Sequence, residues 1–575
     1  MQTNQQIHHR LAAVYGAAAA ATIGPQVTAL LARYAGQIPA RPAGWSERDA
    51  LLITYADSLR GTASPLATLH QFLRDEVGEA LSFVHLLPFF PSSSDDGFAV
   101  EDFRAVRDDL GTWAEVRRMA TDYRLVFDGV INHVSQSSRY MQGYCAGDPA
   151  YADFFLALDP ATDTRSVLRT RNLPLLHDYE THAGKRWLWT TFSRDQVDLN
   201  FQNPRVLLEI LDVLLGYAAN GAAMIRLDAI PYLWKELGTS CAHRPQTHEL
   251  IKLMRAVLDS AAPHVLLLTE TNVPHRENIT YFGDRGDEAQ LIYNFALAPL
   301  ILWSLVKGDG SVLTDWARGI EKISDRATYL NITATHDGIG MRPTEGILTE
   351  PQRAELVQLA RDHGGDVTGK RNSDGSISPY ELNLNYFDAV NDPRRPEPAD
   401  LPLRRFLVSQ AIPLALIGVP GLYIHSLLGS RNDYAGVQAT GRARSINREQ
   451  LEIEQVRQEL ATPQSLRARV FGELKRWLLL RSRQSAFHPD ATQRVLDFGP
   501  ALFAVERNNE RTGQRLVALH NLRETGCRVP VQCGCRDLLT GERDTTGEMG
   551  MAPYQVRWLE EQSERHSAIR AYFLK

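Results

Sequence analysis

The sequence has few of the features that mark secreted and membrane proteins. No apolar run in its 575 residues approaches the roughly 18 that cross a bilayer. The alanine run at 17–21 is too short, and only Arg10 adds positive charge before it, so no signal peptide is expected. Five cysteines occur, and three of them, Cys527, Cys533 and Cys535, are crowded together. This spacing is unlike a disulfide framework, so we expect reduced thiols and a cytoplasmic protein.

An excess of charge of one sign is also lacking. The 62 lysines and arginines nearly balance 68 acidic residues, which leaves a net charge of −6. Neither nucleic acid nor an anionic membrane is therefore expected as a partner. Cys533 and Cys535 have no second Cys or His pair at zinc spacing, so we expect no metal there, and no cofactor is indicated. A small-molecule ligand fits this composition better.

Short apolar runs alternate with amphipathic stretches from about residue 50 onward. This alternation is typical of repeated βα units around a parallel sheet. The predicted strands cover residues 51–55, 83–87, 125–128, 223–228, 265–270, 290–293, 329–334 and 419–424. Eight such units predict an α/β chain folded as a closed (β/α)₈ TIM barrel.

Polar stretches too long for ordinary connections interrupt this rhythm after the third and the seventh strand. Beyond about residue 490 the helical period fades, and the pattern is typical of a small antiparallel domain. The predicted units are an Ala-rich helical extension at 1–48, the barrel at 49–133 and 204–489, an inserted domain B at 134–203, an insertion at 343–400 and a C-terminal β domain at 490–575.

Polar residues end four of the predicted strands. They lie in the segments Asp128–His133, Arg226–Ala229, Glu270–Asn272 and Thr335–Gly338. A single acid after a strand is more often a turn or helix-cap residue. Four such segments at strand ends of one barrel converge on a common pocket, because the carboxyl ends of the strands share one face.

These four segments resemble, in order, the four signature regions of the α-amylase family of glycoside hydrolases, and the resemblance covers nearly all of residues 50–490. Retention at an α-glucosidic bond needs two carboxyl groups about 5 Å apart. The resemblance implies that Asp228 is the nucleophile and that Glu270, with a raised pKa, is the proton donor. Arg226 would keep Asp228 ionised, and Asp337 would grip sugar hydroxyls in the transition state.

The resemblance also implies a site for a terminal glucose. Asp95 and Phe98 follow the second strand, where the family places an acidic and an aromatic residue around that sugar. His133 and His336 would donate hydrogen bonds to sugar hydroxyls. The alternative for each histidine is that it satisfies neighbouring backbone groups.

The segment Gly441–Arg448, which reads GRARSINR, follows the eighth strand. It is similar to an Arg-x-Ile-Asn-Arg segment in the sucrose phosphorylase branch of the family, which implies that Arg444 binds the glucose. The alternative is a solvated basic loop. This branch implies inorganic phosphate as the second substrate and α-glucose 1-phosphate as the product. The residue types alone leave hydrolysis and transglucosylation open.

Two segments near the seventh strand, Gly338–Gly346 and Tyr380–Tyr386, depart from the sucrose phosphorylases and look like those of glucosylglycerate phosphorylases. A glycerate carboxylate favours a guanidinium partner, and Arg342 follows the seventh strand. Tyr380 and Glu381 are the other acceptor-side candidates. The alternative for Arg342 is a surface arginine before a turn proline.

We therefore expect reversible phosphorolysis of 2-O-α-glucosylglycerate, with a glucoside and inorganic phosphate as small-molecule partners. Sucrose or sucrose 6-phosphate phosphorolysis is a competing hypothesis. A non-catalytic barrel that serves as a binding module is another, and the presence of Asp228, Glu270 and Asp337 opposes it. A monomer and a homodimer both stay open.

Overall fold

A closed barrel of eight parallel strands forms the centre of the computed structural model, which describes residues 2–560 except 285, 373–374, 399 and 532–533. The strands are β1 (Leu51–Thr54), β2 (Phe83–Leu86), β3 (Arg124–Gly129), β4 (Ala222–Leu227), β5 (Leu266–Thr269), β6 (Leu291–Tyr293), β7 (Thr328–Ile332) and β8 (Val419–Tyr423). Each neighbours the next, and β8 pairs with β1 to close the ring. The predicted barrel is thus confirmed, with every strand within two residues of its predicted bounds.

The barrel strands are apolar along their length because both of their faces are covered. β4 and β5 are buried at every position. The exceptions are polar residues near the carboxyl ends, and the register between β3 and β4 sets Asp128 directly beside Arg226. Paired residues of neighbouring strands point to the same face. Asp228 follows two residues after Arg226, so the same register directs a charged group toward the mouth of the barrel.

Helices surround the barrel, and several begin at strong start signals. The helices Pro65–Phe72 and Pro204–Ala219 have proline in the first turn, and the side chains of Ser64 and Asn203 accept backbone hydrogen bonds at their starts. The other outer helices are Trp113–Asp122, Pro245–Ala261, Leu297–Lys307, Ser311–Arg318, Asp400–Ala415, Ile453–Leu460 and Leu466–Arg481. Among the described residues, no helix has the length and apolar character to cross a membrane.

The two long interruptions of the barrel fold into small sheets of their own. After β3, His133–Ser135 pairs with Gln196–Asp198, and a second sheet contains Ala157–Leu158, Leu176–Thr181 and Gly184–Trp189, with the helix Arg139–Ala146 between them. After β7, a three-stranded sheet contains Ile339–Gly340, Asp366–Arg371 and Ile377–Asn383, and the helix Glu350–Asp362 contacts the last two of these strands. Short helices at His275–Asn278, Tyr386–Val390, Ile424–Leu427 and Tyr434–Thr440 complete the rim.

Antiparallel strands follow the barrel, as the fading helical period predicts. A five-stranded sheet has the order Thr492–Leu496, Leu502–Asn509, Gln514–Asn521, Val556–Glu560 and Arg536–Asp537, and a two-stranded sheet joins Cys527–Pro530 to Glu548–Met551. Trp558 packs against Phe487 with ring centroids 4.9 Å apart, which joins this sheet to the last part of the barrel. Cys533 and residues 561–575 lie outside the described residues.

Two helices, Gln2–Tyr15 and Ala17–Tyr34, precede the barrel and pack against its side. Arg10 forms ion pairs with Glu249 at 3.0 Å and with Asp287 at 3.1 Å. The Tyr15 hydroxyl donates a hydrogen bond to the Phe201 carbonyl at 2.8 Å. The two helices therefore pack on the barrel through buried apolar residues, ion pairs and a hydrogen bond.

We expect Leu11→Ala to destabilise the whole protein, because Leu11 is fully buried in the core shared with the barrel. Removing a buried leucine side chain costs about 2–5 kcal/mol of unfolding free energy. Urea denaturation followed by circular dichroism measures the loss. Gln6→Ala, at an exposed position of the same helix, is the control and should change stability by less than about 0.5 kcal/mol.

Candidate active site

A single cavity at the carboxyl ends of the barrel strands brings most of the candidate residues together. Ten of the twelve line it, namely Asp95, Phe98, His133, Asp228, Glu270, His336, Asp337, Tyr380, Glu381 and Arg444. The three central carboxylates come from three strand ends, after β4, β5 and β7. Arg226 lies buried beneath the cavity floor, and Arg342 does not line the cavity.

Arg226 is held between two carboxylates under the floor of the cavity. Its Nη1 donates to Asp228 Oδ1 at 2.9 Å and also to Asp128 Oδ1. The second oxygen of Asp128 lies 2.7 Å from His85 Nε2. Burial raises the pKa of Asp228, and the adjacent guanidinium of Arg226 opposes that rise. Arg226 is thus oriented by one acid while it stabilises the charge of the other.

Glu270 lies beside Asp228 but in a different electrostatic environment. The backbone N–H of Ala229 donates to Glu270 Oε2 at 3.2 Å, and Ala229 has a left-handed φ of 50° that turns this N–H toward Glu270. Burial raises the pKa of Glu270 to about 7, and the charges of Asp228 and Asp337 add to the rise against the opposing Arg226. The two neighbouring carboxyl groups therefore have different surroundings, because Asp228 bonds to a guanidinium and Glu270 to a backbone N–H.

Asp337, in contrast, is surrounded by positive charge. Arg444 Nη1 lies 2.7 Å from Asp337 Oδ1, and Arg448 Nη2 lies 3.7 Å from the same oxygen. Although burial opposes ionisation, Arg444, His336 and Arg448 lower the pKa of Asp337 below its usual range. Arg444 also donates to both oxygens of Glu381, at 2.6 Å and 2.7 Å from its Nη2. Arg444 thus joins the loops after β7 and β8 to the sheet of the second insertion.

The other candidate sugar-binding residues form one wall of the cavity. The rings of Phe98 and His336 stack with centroids 4.9 Å apart, and burial lowers the pKa of His336 well below its usual value. His133 Nε2 lies 2.9 Å from the Phe98 carbonyl, so His133 contacts the backbone at this nitrogen. Asp95 accepts a hydrogen bond from Gln196 Nε2 at 3.0 Å. Gln196 belongs to the first insertion, and the sequence pattern did not indicate that this insertion contributes to the cavity.

Arg171, which sequence reasoning missed, contributes a further guanidinium to the cavity lining. Arg171 lies 5.7 Å from the Tyr380 ring centroid and 5.8 Å from that of Phe192. It makes no ion pair within the part of the chain that the structure describes. Arg342 is 7% exposed, and its Nη2 lies 3.5 Å from Glu277. Arg171, and not Arg342, therefore contributes an additional guanidinium to the cavity lining.

The remaining lining residues come from loops whose course the sequence pattern does not show. They are Phe192, Ala229, Pro231, Tyr232, Thr271 and Asn272. Ala229, Thr271 and Asn272 belong to the strand-end segments that the sequence singles out, and Asn272 Oδ1 is buried without a hydrogen-bond partner. Within the described residues, no group of three or more His, Cys, Asp or Glu side chains is arranged to hold a metal ion.

Comparisons with known proteins agree with this geometry. The α-amylase catalytic-domain family matches residues 79–331. A glucosylglycerate phosphorylase of Allomeiothermus silvanus is 45% identical over 97% of this chain and 99% of its own length. One of Escherichia coli is 42% identical over 90% of this chain and 92% of its own. The crystal structure of a sucrose 6F-phosphate phosphorylase from Thermoanaerobacter thermosaccharolyticum superposes with a TM-score of 0.72 at 24% identity, covering 85% of this chain and 95% of that one, which shows a shared fold.

Proposed function

This chain belongs to the α-amylase family, and we propose that it is a retaining glycoside phosphorylase that converts 2-O-α-glucosylglycerate and phosphate reversibly into α-glucose 1-phosphate and glycerate. The observation that carries this proposal is the 45% identity with a glucosylglycerate phosphorylase along almost the full length of both chains. The cavity supports it, because it combines a pair of unlike carboxyl groups with a guanidinium on the acceptor side.

The first half of the reaction transfers the glucosyl unit to Asp228. Its carboxylate attacks the anomeric carbon while Glu270, whose pKa is raised to about 7, gives its proton to the leaving glycerate oxygen. The C1–O bond to glycerate breaks as the C1–O bond to Asp228 forms. Arg226, 2.9 Å from the nucleophile, holds its reactive oxygen in place and stabilises its charge before attack.

The second half returns the glucosyl unit to phosphate with retention. A phosphate oxygen attacks C1, the bond to Asp228 breaks, and α-glucose 1-phosphate leaves the site. Asp337 is ionised through Arg444 and its other basic neighbours, so it can hold sugar hydroxyls most strongly as positive charge develops on the ring. His336, stacked on Phe98, is neutral at physiological pH and offers ring nitrogens for hydroxyl groups.

Ion pairs among the lining residues at the proposed glucose end support a single glucosyl unit as the donor group. Arg444 joins Asp337 and Glu381 there, and Asp95 lies near this guanidinium. Glu381 is therefore proposed to hold Arg444 in place, in addition to lining the cavity. Longer α-glucan chains would need the space that these side chains occupy.

The acceptor end provides Arg171 as a partner for anions. Glycerate and phosphate both carry negative charge, and a guanidinium binds a carboxylate or a phosphate through paired N–H groups. Arg171 stands between the rings of Phe192 and Tyr380. Arg342 lies behind this wall, beside Glu277, and we propose that it supports Tyr232 from outside the cavity.

Incubation of the purified protein with phosphate and a panel of glucosides tests this function. We expect glucose 1-phosphate to form from glucosylglycerate, with much slower release from sucrose and sucrose 6-phosphate. Glucose 1-phosphate formed from sucrose alone would contradict the acceptor assignment. Free glucose formed at an equal rate without phosphate would instead support a hydrolase or transglucosidase.

We expect Arg171→Gln to weaken the binding of anionic acceptors specifically. Loss of a charge-assisted contact costs roughly 1.5–3 kcal/mol, so the KM for glycerate in the reverse reaction should rise about 10- to 100-fold. Steady-state kinetics with glucose 1-phosphate as donor measures this. Transfer to glycerol, a neutral acceptor of similar size, is the control and should lose much less. An equal loss with both acceptors would contradict a role for this charge.

The cellular location and the oligomeric state of the protein stay predictions. The crowded cysteines predict a cytoplasmic location, which cell fractionation would test. A homodimer stays open beside a monomer, and sedimentation of the purified protein would distinguish them. Neither affects the chemistry that the cavity supports.

A further inference from the structure

The loop after β2 has a backbone conformation that needs support from elsewhere. Asp95 and Asp96 have φ values of 54° and 50°, and Gly97 has a φ of 110°. Left-handed conformations cost non-glycine residues roughly 1–2 kcal/mol each. A Cβ at position 97 would lie 2.6 Å from the Pro88 carbonyl oxygen, so the loop has no room to relax there. Contacts outside the loop must therefore hold Asp95 and Phe98 in place.

Asp96 supplies these contacts. Its Oδ1 accepts a hydrogen bond from Arg442 Nη1 at 2.9 Å, and its Oδ2 accepts one from Arg448 Nη1. Both arginines come from the segment after β8 that also carries Arg444. Asp96 thus joins the loop that carries Asp95 and Phe98 to the loop that carries Arg444.

Arg448 extends this connection to the third carboxylate. Its Nε donates to the His336 carbonyl at 2.7 Å, and its Nη2 lies 3.7 Å from Asp337 Oδ1. Its guanidinium also lies 5.8 Å from the ring centroid of Tyr55, which follows β1. Four loops of the barrel face, those after β1, β2, β7 and β8, therefore meet at one guanidinium, and Asp96 is the acid from the loop after β2 that bonds to it.

We propose that Asp96 is a positioning residue that, through Arg448 and Arg442, sets Asp95 and Phe98 against Arg444 and Asp337 around the glucosyl group. Asp96 does not line the cavity, so it acts through these neighbours. The Asp96–Arg442 pair is exposed, with side chains 38% and 51% exposed, and such pairs contribute little to folding stability. Arg448 is only 7% exposed, but it keeps the His336 carbonyl and Asp337 as partners when the charge of Asp96 is lost. The bridge therefore matters more for the alignment of the loops than for the stability of the barrel. The proposal rests on the proposed function only for the identity of the sugar.

The substitution Asp96→Asn separates charge from backbone conformation. Asparagine has the same size and tolerates the left-handed region, whereas it removes the anion that both arginines bind. Since small misplacements of binding groups can cost up to roughly 100-fold, we expect the dissociation constant for glucose and the KM for glucose 1-phosphate to rise about tenfold. The KM for glycerate should change less than twofold. Asp108→Asn, at an exposed acid later in the same connection, is the control and should leave all three unchanged.

The salt dependence of glucose binding is a second measurement, and a purely structural role of Asp96 would leave it unchanged. Glucose is neutral, so added salt can weaken its binding only through the protein's own ion pairs. At 1 M NaCl the wild-type dissociation constant for glucose should approach that of Asp96→Asn. The variant's own value should change less, because only the less exposed pairs of Arg444 with Asp337 and Glu381 remain around the sugar. Calorimetric titration with glucose measures both and needs no acceptor, so it stands even if glycerate is not the acceptor. Unchanged glucose binding in Asp96→Asn, or an equal rise in the KM for glycerate, would overturn the proposal.

Discussion

Asp228→Ala should abolish turnover with every donor, lowering kcat by roughly 10⁵- to 10⁶-fold, as expected when the nucleophile of a two-step mechanism is removed. The glucosyl-enzyme cannot form without this oxygen, and Glu270 alone can only assist departure of the leaving group. Initial rates of glucose 1-phosphate formation from glucosylglycerate measure the loss. A direct readout is the glucosyl adduct that mass spectrometry should find on the peptide containing Asp228 when α-glucosyl fluoride is added without phosphate.

The fold should tolerate this substitution. Arg226 keeps its contact with Asp128, so its buried charge retains one partner when Asp228 is lost. Thermal unfolding of the variant should therefore remain cooperative and close to that of the wild type. Measurable turnover in a folded Asp228→Ala protein, or an adduct on a different peptide, would contradict the assignment and revive the hypothesis of a non-catalytic barrel.

The parts of this protein that sequence reasoning recovered share one physical origin. A barrel strand is covered on both faces, so its apolar run and its polar end can be recognised without knowledge of its neighbours. Asp228 and Glu270 follow such runs directly, and Asp337 lies five residues after the end of β7. Parallel strands in a closed barrel bring their carboxyl ends together, and the structure places all three side chains on one cavity.

The missed residues depend on how irregular segments fold. Arg171 and Gln196 come from the first insertion, where no period distinguishes one polar side chain from another. Arg342 is the opposite case: its position shortly after β7 in the sequence predicted that it lines the cavity, and it does not. Glu277, from the loop after β5, instead holds it behind the wall at 3.5 Å. Direction of a loop side chain is set by partners that lie far away in the sequence, and hydrophobic periodicity contains no information about them.

The connection between loops predicts that glucose binding and chemistry are linked in this protein. Arg444 contacts Asp337 at 2.7 Å and Glu381 at 2.6 Å, and Arg448 binds Asp96 and the backbone beside Asp337. The charge of Asp337 is therefore stabilised by the same arginines that we propose to hold the glucose end of the cavity together. A sugar that does not fill this end would leave Asp337 without sugar hydroxyl groups to bind, although Asp228 and Glu270 remain in place.

Glu270→Gln should produce a loss that depends on the leaving group. Without a proton donor, kcat/KM for phosphorolysis of glucosylglycerate should fall roughly 10³- to 10⁴-fold, the usual contribution of general acid catalysis. α-Glucosyl fluoride needs no protonation to lose fluoride, and phosphate attacks as an anion without a base. The rate with that donor and phosphate should therefore fall less than about tenfold. An equal loss with both donors would contradict the role of Glu270 as the acid.

The pH dependence gives the matching test on the unmodified enzyme. The pKa of Glu270 is raised to about 7 by burial and by the neighbouring carboxylates, so the group is protonated below this pH and loses its proton above it. Because transfer from glucosylglycerate needs the protonated form, kcat/KM should fall about tenfold per pH unit above the pKa. Glu270→Gln has no proton to lose and should lack this decline, and so should the wild type with α-glucosyl fluoride. A wild-type profile that stays flat to pH 9 with glucosylglycerate would show that another group donates the proton.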